Sequence, residues 1–199
     1  MRRHLILFLR VPQLGTGKRR LARDIGELAA LRFQRQMIAI LVRRLGRDRR
    51  WRLRLAVTPD RSRPRRLSLS AETEIVSQGG GDLGRCMRRV LADCPPGPAV
   101  LVGSDIPDLL AAHIARAFRV IGRHDLVFGP TADGGFWLMG ARRSPRLPPL
   151  FGAVRWSGPH ALADVVGNLP RSVSVGWAAC LNDVDDGAAY RCYMPRRGF

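Results

Sequence analysis

Lys18 is the only lysine among the 34 basic residues of the chain, and it lies in a glycine-rich turn after an apolar segment. A compact ammonium reaches a phosphate as a point charge, whereas arginine presents a flat guanidinium fork. Gly15 and Gly17 allow backbone N–H groups to approach an anion, and Arg20 supplies further positive charge. The spacing is not that of a Walker motif, because Arg19 stands where the hydroxyl residue would be. We therefore expect Lys18 to contact a phosphate.

A carboxylate and a hydroxyl follow the apolar run 99–102 in the sequence Gly103-Ser104-Asp105. At the end of a buried strand, Asp105 is placed to hold a divalent cation against a diphosphate. Hard oxygen ligands of this kind suit Mg²⁺ or Mn²⁺. The alternative role is a helix cap, but Asp108, directly after Pro107, is the better candidate for that role.

Two further acidic segments are candidates for chemistry. Asp133 precedes Gly134-Gly135, and Asp183 and Asp185 belong to the run 182–186 near the C-terminus. Solvated turn carboxylates are the alternative interpretation of each. The chain has 16 acidic residues against 34 basic ones, so its composition does not favour an acidic run. We expect Asp183 and Asp185 to point to opposite faces of an extended segment, so that one of the two reaches a metal.

The basic charge is concentrated in the middle of the chain. The net charge is +18, and eleven arginines lie between Arg43 and Arg66. Nucleic-acid binding needs such a patch, preferably with aromatic side chains that stack on bases, but Trp51 is the only aromatic residue in this stretch. The alternation over 51–57 instead predicts a strand with one solvated face. We favour a solvated surface and keep an RNA or DNA partner as the alternative.

Strands and helices alternate with short connections, which predicts an α/β sandwich with a largely parallel sheet in a single domain over 1–199. In such sheets, ligands bind outside the carboxyl ends of the strands, where the polar clusters lie. No apolar stretch approaches transmembrane length, and four cysteines without a C-x-x-C pair indicate free buried thiols in the cytoplasm. The segment 61–77 has no clear assignment. Strands are predicted at 5–11, 51–57, 99–102, 125–129, 135–140 and 172–176, and helices at 27–45, 82–94, 108–121, 157–167 and 185–193.

The polar clusters, in this order, resemble the DUF2064 group, whose members are described as selenodomain-associated transferases. The resemblance spans residues 5 to about 190. The matching pieces are Phe8-Leu-Arg-Val-Pro-x-x-Gly15-x-x-Lys18-x-Arg20-Leu21, Gln78-Gly-Gly-Gly-Asp-Leu-Gly84, Val102-Gly-Ser-Asp-Ile-Pro-Asp-Leu109, Phe128-Gly-Pro-x-x-Asp-Gly-Gly-Phe-Trp-Leu-Met-Gly140, Arg155-Trp-Ser157 and Asp183-Val-Asp185.

The resemblance implies a three-layer α/β/α sandwich with a mostly parallel mixed sheet, which is the GT-A fold of the nucleotide-diphospho-sugar transferases. It implies that the turn from Pro12 to Leu21 surrounds the nucleotide, with Lys18 and Arg20 on the phosphates. The nucleotide-binding residues would be Pro12, Gly15, Lys18, Arg20 and Ser104. Asp105 matches the metal-binding aspartate of the family. Asp185, with Asp183 beside it, matches the second carboxylate at the metal. The chain departs from the pattern at Arg10, Asn182 and Asp186-Gly187, where relatives carry Lys, Arg and Thr-Pro.

The function that follows is a metal-dependent glycosyltransferase with a nucleoside diphosphate sugar donor, a small-molecule acceptor and Mg²⁺ or Mn²⁺ as cofactor. Asp105 would act through the metal, and Asp133 would polarise the acceptor hydroxyl. One alternative is a guanylyltransferase-like nucleotidyltransferase, which joins an NTP to a small phosphorylated acceptor. Another is a basic nucleic-acid-binding protein that has lost catalysis. We expect a monomer or a homodimer without a membrane span.

Overall fold

A seven-stranded sheet forms the centre of the molecule, in the strand order β3-β2-β1-β4-β6-β5-β7. The computed structural model describes residues 1–64, 67, 69–143 and 147–194. The strands are β1 (His4–Arg10), β2 (Arg52–Thr58), β3 (Glu74–Ser77), β4 (Ala99–Gly103), β5 (Leu126–Pro130), β6 (Phe136–Ala141) and β7 (Val175–Trp177). The helices are α1 (Arg19–Ile25), α2 (Glu27–Gly46), α3 (Leu83–Ala92), α4 (Ala111–Ile121), α5 (Ala161–Gly167) and α6 (Gly187–Tyr193).

The sheet is mostly parallel, as predicted, with one reversed strand. β1 pairs in parallel with β2 and β4, β2 with β3, and β5 with β7. β6 runs antiparallel to both of its neighbours, β4 and β5. All strands except β6 therefore end at the same edge of the sheet, and the turn between β5 and β6 lies at that edge too.

Helices cover both faces of the sheet, so the predicted three-layer α/β/α architecture is confirmed. Along β1, Leu5, Leu7 and Leu9 belong to a core shared with α1, α2 and α4, whereas Ile6 and Phe8 pack with α3 and α5. Such a strand reads as a continuous apolar run because both of its faces are buried. No described helix is long and apolar enough to cross a membrane.

Two elements were missing from the prediction. β3 has only four residues, and the charged Glu74 at its start conceals it in the sequence. α1 has seven residues and begins after Lys18. The backbone of Lys18 is left-handed (φ 36°), and its side chain makes no capping hydrogen bond to the helix. Neither segment is long enough to show an apolar period. Their positions are set by pairing with β2 and by packing of the buried Leu21.

Some predicted boundaries also differ from the structure. Asp82 caps α3 as expected, since its side chain accepts a hydrogen bond from the backbone N–H of Arg85. The prediction that Asp108 begins the next helix is wrong, because α4 begins at Ala111 after Leu110. Asp186, rather than Asp185, precedes the last helix and caps it.

The prediction of free, buried thiols agrees with the structure in part. All four cysteines are free as expected, but Cys180 and Cys192 are exposed rather than buried. Of the basic stretch, Arg65 and Arg66 lie outside the described residues.

The ion pair between Arg54 and Glu74 joins β2 to the short strand β3, and it gives a test of this pairing. The guanidinium of Arg54 is largely buried, and its Nε and Nη2 atoms lie 2.7 and 2.6 Å from Glu74 Oε2. We expect Glu74→Gln to lower the free energy of unfolding by about 1–3 kcal/mol, because the guanidinium loses its counter-charge. Urea denaturation measures the change.

Glu72→Gln is the matched control. Glu72 Oε2 lies 3.6 Å from Arg52 Nε, and the Glu72 side chain is exposed. Loss of this ion pair is therefore expected to change the free energy of unfolding by less than about 0.5 kcal/mol. Equal losses in the two variants would contradict the role given to the Arg54–Glu74 pair.

Candidate functional site

A cleft of about 720 Å³ opens at the edge of the sheet where the parallel strands end. Most of the predicted site residues meet in it, although they come from four separate segments of the chain. Those that line the cleft are Lys18, Arg20, Ser104, Asp105, Asp133, Asp183 and Asp185.

Two predicted nucleotide-binding residues lie elsewhere. Gly15 lines a second, smaller cavity of about 260 Å³ on the α1–α2 side of the turn. Pro12 lines neither cavity. Gly17 and Gln34 line both cavities, so the two spaces adjoin at the turn.

Three carboxylates converge in the cleft. Asp105, Asp183 and Asp185 each offer one oxygen, and these oxygens lie within 4.8 Å of one another. The expectation that Asp183 and Asp185 point to opposite faces is wrong, because residues two apart in an extended segment share a face. Val184 between them is buried in the core, and its N–H donates to the carbonyl oxygen of Asp105 at 3.1 Å.

The segment that carries Asp183 and Asp185 crosses the carboxyl edge of the sheet from β7 towards α1. The side-chain oxygen of Asn182 accepts a hydrogen bond from the N–H of Ala132 at 3.1 Å. Asp186 caps α6, and the N–H of Gly187 donates to Asp24 Oδ2 at 2.8 Å. Asn182, Asp186 and Gly187 are positions where the chain departs from the DUF2064 pattern. Asn182 and Gly187 thus join the acidic segment to the turn between β5 and β6 and to α1, and Asp186 begins the helix that follows.

Lys18 joins two of the three carboxylates. Its Nζ lies 2.5 Å from Asp105 Oδ2 and donates a hydrogen bond to Asp185 Oδ1. Burial by itself lowers the pKa of Lys18, but the charges of Asp105 and Asp185 outweigh it and raise the pKa above its usual value. The side chain is therefore an ammonium ion at neutral pH.

Asp183 completes the cluster at an electrostatic cost. Burial, followed by the charges of Asp185 and Asp105, raises its pKa to about 6. One ammonium thus faces three carboxylates, and negative charge remains in excess. A hard, oxygen-rich donor set of this kind fits Mg²⁺ or Mn²⁺, so the residues present are compatible with the predicted metal.

Asp133 has a structural role in its own turn. Its Oδ1 accepts hydrogen bonds from Thr131 Oγ1 at 2.5 Å and from the N–H of Gly135 at 3.1 Å. The side chain is exposed at the mouth of the cleft. One of its two oxygens is thus committed to shaping the turn between β5 and β6.

Sequence reasoning gave no role to Gln78, which lines the cleft and is buried. Its Nε2 donates to the carbonyl oxygens of Leu9 at 3.0 Å and Ala56 at 2.8 Å, which ties together β1, β2 and the glycine-rich turn after β3. The signal in the sequence was a glutamine followed directly by three glycines. Its buried partners are backbone atoms of distant segments, which a sequence does not reveal.

Charge is unevenly distributed over the cleft. The cationic residues among its described lining are Arg10 at the end of β1, and Lys18, Arg19 and Arg20 directly after the glycine-rich turn that follows β1. Phe136 of β6 and the segment 156–158 form a neutral wall with aromatic rings. There the ring of Trp156 packs 6.4 Å from that of Phe136 and 5.6 Å from that of Phe151, measured between centroids.

Comparisons with known proteins agree with this architecture. The sequence profile of the family described as "Uncharacterized protein conserved in bacteria (DUF2064)" matches residues 41–158. No curated protein matches the chain. A crystal structure from Desulfovibrio desulfuricans, described as a candidate nucleotide-diphospho-sugar transferase, is 27% identical, with a TM-score of 0.84 over 94% of this chain and 84% of that one.

Two more distant structures share the fold alone. Rv0371c from Mycobacterium tuberculosis, in complex with manganese, is 18% identical with a TM-score of 0.59, over 99% of this chain and 100% of that one. CMP:2-keto-3-deoxy-manno-octonic acid synthetase, complexed with CTP, is 9% identical with a TM-score of 0.54, over 98% and 99% of the two chains. The fold is thus that of the nucleotide-diphospho-sugar transferases.

The turn around Asp133 depends on a glycine. Gly134 has a φ of 84°, and a Cβ there would overlap with the carbonyl oxygen of Pro159. We expect Gly134→Ala to lower the free energy of unfolding by about 2–4 kcal/mol, because strain and overlap add. Chemical denaturation measures the loss.

Gly158, on the facing loop, is the control. A Cβ at Gly158 meets nothing within 4 Å, so Gly158→Ala is expected to be within about 0.5 kcal/mol of the unmodified protein. A Gly134→Ala variant as stable as Gly158→Ala would show that the two loops do not pack as described.

Proposed function

This chain belongs to the DUF2064 family, and we propose that it is a metal-dependent glycosyltransferase that uses a nucleoside diphosphate sugar as donor. The observation that carries the proposal is the meeting of Lys18 with Asp105, Asp183 and Asp185 in one large cleft. A nucleoside diphosphate brings negative charge that needs both a divalent cation and protein cations. The likeness to the candidate transferase from Desulfovibrio desulfuricans supports the same chemistry.

Asp105, Asp183 and Asp185 would hold the cation. Bound there, Mg²⁺ or Mn²⁺ would offset the negative charge that develops on the diphosphate leaving group. Lys18 and Arg20 would bind the phosphate oxygens from the wall after β1. Ser104, with its hydroxyl beside Asp105, would donate a hydrogen bond to the same phosphates.

Asp133 would orient the acceptor. Its Oδ1 is engaged by Thr131 and Gly135, so the carboxylate is held in place and its second oxygen is the one proposed to accept a hydrogen bond from the acceptor hydroxyl. Gly15 would contact the nucleoside from the adjoining cavity, and Pro12, which lines neither cavity, would only shape the turn that carries Gly15 and Lys18.

The charge distribution favours glycosyl transfer over nucleotidyl transfer. A phosphorylated acceptor would need its own cationic residues, but the described lining beyond the turn after β1 carries carboxylates, hydroxyls and aromatic rings. Phe136 and Trp156 would pack against the apolar face of a neutral acceptor. We therefore assign the acceptor to the class of uncharged hydroxyl compounds.

The arginine-rich stretch gives little support to the nucleic-acid alternative. Arg44 donates to the carbonyl oxygens of Pro107 and Leu109, and Arg50, Arg52 and Arg54 form ion pairs with acidic side chains. The guanidinium groups of these arginines thus have partners within the chain. Salt-sensitive RNA binding that persists in Asp105→Ala would favour the alternative instead.

A thermal-shift screen tests the proposed function. Nucleoside diphosphates, nucleoside triphosphates and nucleotide sugars are each added with and without Mn²⁺. A ligand at 100 times its dissociation constant adds about 2.7 kcal/mol of stability.

An assay of the released product then separates the two reactions. Release of a nucleoside diphosphate from a nucleotide sugar supports glycosyl transfer, whereas release of pyrophosphate from an NTP supports nucleotidyl transfer. The absence of any Mn²⁺-dependent stabilisation would contradict both.

Asp105→Asn is expected to abolish the Mn²⁺-dependent part of nucleotide affinity, because the substitution removes a charged ligand. The free energy of unfolding should change by less than about 1 kcal/mol, since Lys18 keeps Asp185 as a partner and the loss of one negative charge relieves repulsion with Asp183. Isothermal titration with and without Mn²⁺ measures the affinity. Asp93→Asn, an exposed charge change outside the cleft, is the control. Unchanged Mn²⁺-dependent affinity in Asp105→Asn would refute the metal assignment.

A further inference from the structure

We infer that Lys18 competes with the divalent cation for Asp105 and Asp185. A nucleoside diphosphate relieves this competition, because its phosphate oxygens bind the ammonium in place of the two carboxylates. The inference rests on the proposed function and adds to it a coupling between the cation and the nucleotide. Lys18 would thus make cation binding depend on the nucleotide.

The contacts of Lys18 carry the first step. Its ammonium contacts Asp105 Oδ2 and Asp185 Oδ1, and these two side chains supply two of the three carboxylates of the proposed cation site. A lysine at this position is therefore an internal cation on the same ligands. An ammonium and a divalent cation on shared carboxylates repel each other, so each weakens the binding of the other.

Burial explains why the ammonium of Lys18 stays on the two carboxylates when no nucleotide is bound. The side chain of Lys18 is 13% exposed, and an enclosed ammonium is costly without a partner. If a cation alone displaced it, Lys18 would lose its hydrogen-bonded partners. Phosphate oxygens of a nucleotide in the same cleft offer replacement partners. The cost of displacement then falls, and the cation binds more tightly.

The chemistry of lysine suits such an exchange. A compact ammonium on a flexible stem can turn from a carboxylate to a phosphate while the backbone keeps its conformation. A guanidinium would bind carboxylates through a planar fork and leave them less readily. The chain places arginine at every other basic position, so the use of lysine at this one fits a group that must change partners.

Binding of Mn²⁺ without nucleotide tests the competition directly. Free Mn²⁺ is measured by electron paramagnetic resonance during titration of the unmodified protein and of Lys18→Met. The methionine side chain has a similar length but no charge. We expect Lys18→Met to bind Mn²⁺ about tenfold more tightly or better, because a charge that opposes the cation has gone. A merely structural role for Lys18 would weaken Mn²⁺ binding or leave it unchanged, and either result would overturn the inference.

Two variants serve as controls for charge. Lys18→Arg keeps the positive charge, so its affinity for Mn²⁺ alone should remain close to that of the unmodified protein. Arg19→Met removes one positive charge from the next residue, which also lines the cleft. Its affinity should change by much less than that of Lys18→Met. An equal gain in Arg19→Met would mean that net charge, rather than the Lys18 contact, governs Mn²⁺ binding, and would overturn the inference.

The coupling is measured with UDP and GDP as probes. The nucleoside diphosphate should raise the affinity of the unmodified protein for Mn²⁺ more than it raises that of Lys18→Met, with the affinity of the free nucleotide for Mn²⁺ taken into account. By linkage, Mn²⁺ raises nucleotide affinity by the same factor. An equal effect in both proteins would contradict the exchange of partners.

The measurements distinguish failure of the inference from failure of the proposed function. If neither probe nor any other nucleotide binds, the proposed function fails, whereas the Mn²⁺ titration without nucleotide still decides whether Lys18 competes. If Lys18→Met does not fold, Lys18→Gln replaces it. The unmodified protein then supplies the remaining test, because an affinity for Mn²⁺ that does not change with a bound diphosphate would refute the coupling.

Discussion

Three carboxylates brought close together, with one ammonium between two of them, are the constraint on which this site depends. Carboxylate oxygens within 4.8 Å of one another repel, and the raised pKa of Asp183 reflects its burial first and this repulsion second. Lys18 compensates part of the charge. The excess that remains is compatible with a divalent cation on the same carboxylates, which is the basis of the proposed function.

The fold brings Lys18 and the three carboxylates together. β1 and β4 are neighbours in the sheet, so the turn that carries Lys18 and the end of β4 that carries Asp105 meet at one edge. The acidic segment is brought to them by three contacts: Val184 donates to the carbonyl oxygen of Asp105, Asn182 accepts from the turn between β5 and β6, and Gly187 donates to Asp24 of α1. The ion pair at the centre is thus the result of packing between segments that are distant in the sequence.

The sequence was sufficient to predict the layered α/β fold and several polar residues of the cleft, because buried parallel strands leave long apolar runs and the polar residues follow their ends. It failed for β3 and α1, which are too short to show a period. It gave no sign that Gly15, predicted to bind the nucleotide, lines a cavity that adjoins the main cleft. Pairing of Lys18 with carboxylates could not be predicted, since the partners are more than eighty residues away and only tertiary packing joins them.

A diffraction experiment at the manganese absorption edge, on crystals grown with Mn²⁺ and a nucleoside diphosphate, tests the central claim most directly. The account predicts an anomalous peak at about 2.0–2.2 Å from oxygens of Asp105, Asp183 and Asp185, with the ammonium of Lys18 moved from these carboxylates to a phosphate oxygen. A bound nucleotide with manganese away from the three carboxylates, or with Lys18 still paired to Asp105 and Asp185, would contradict it.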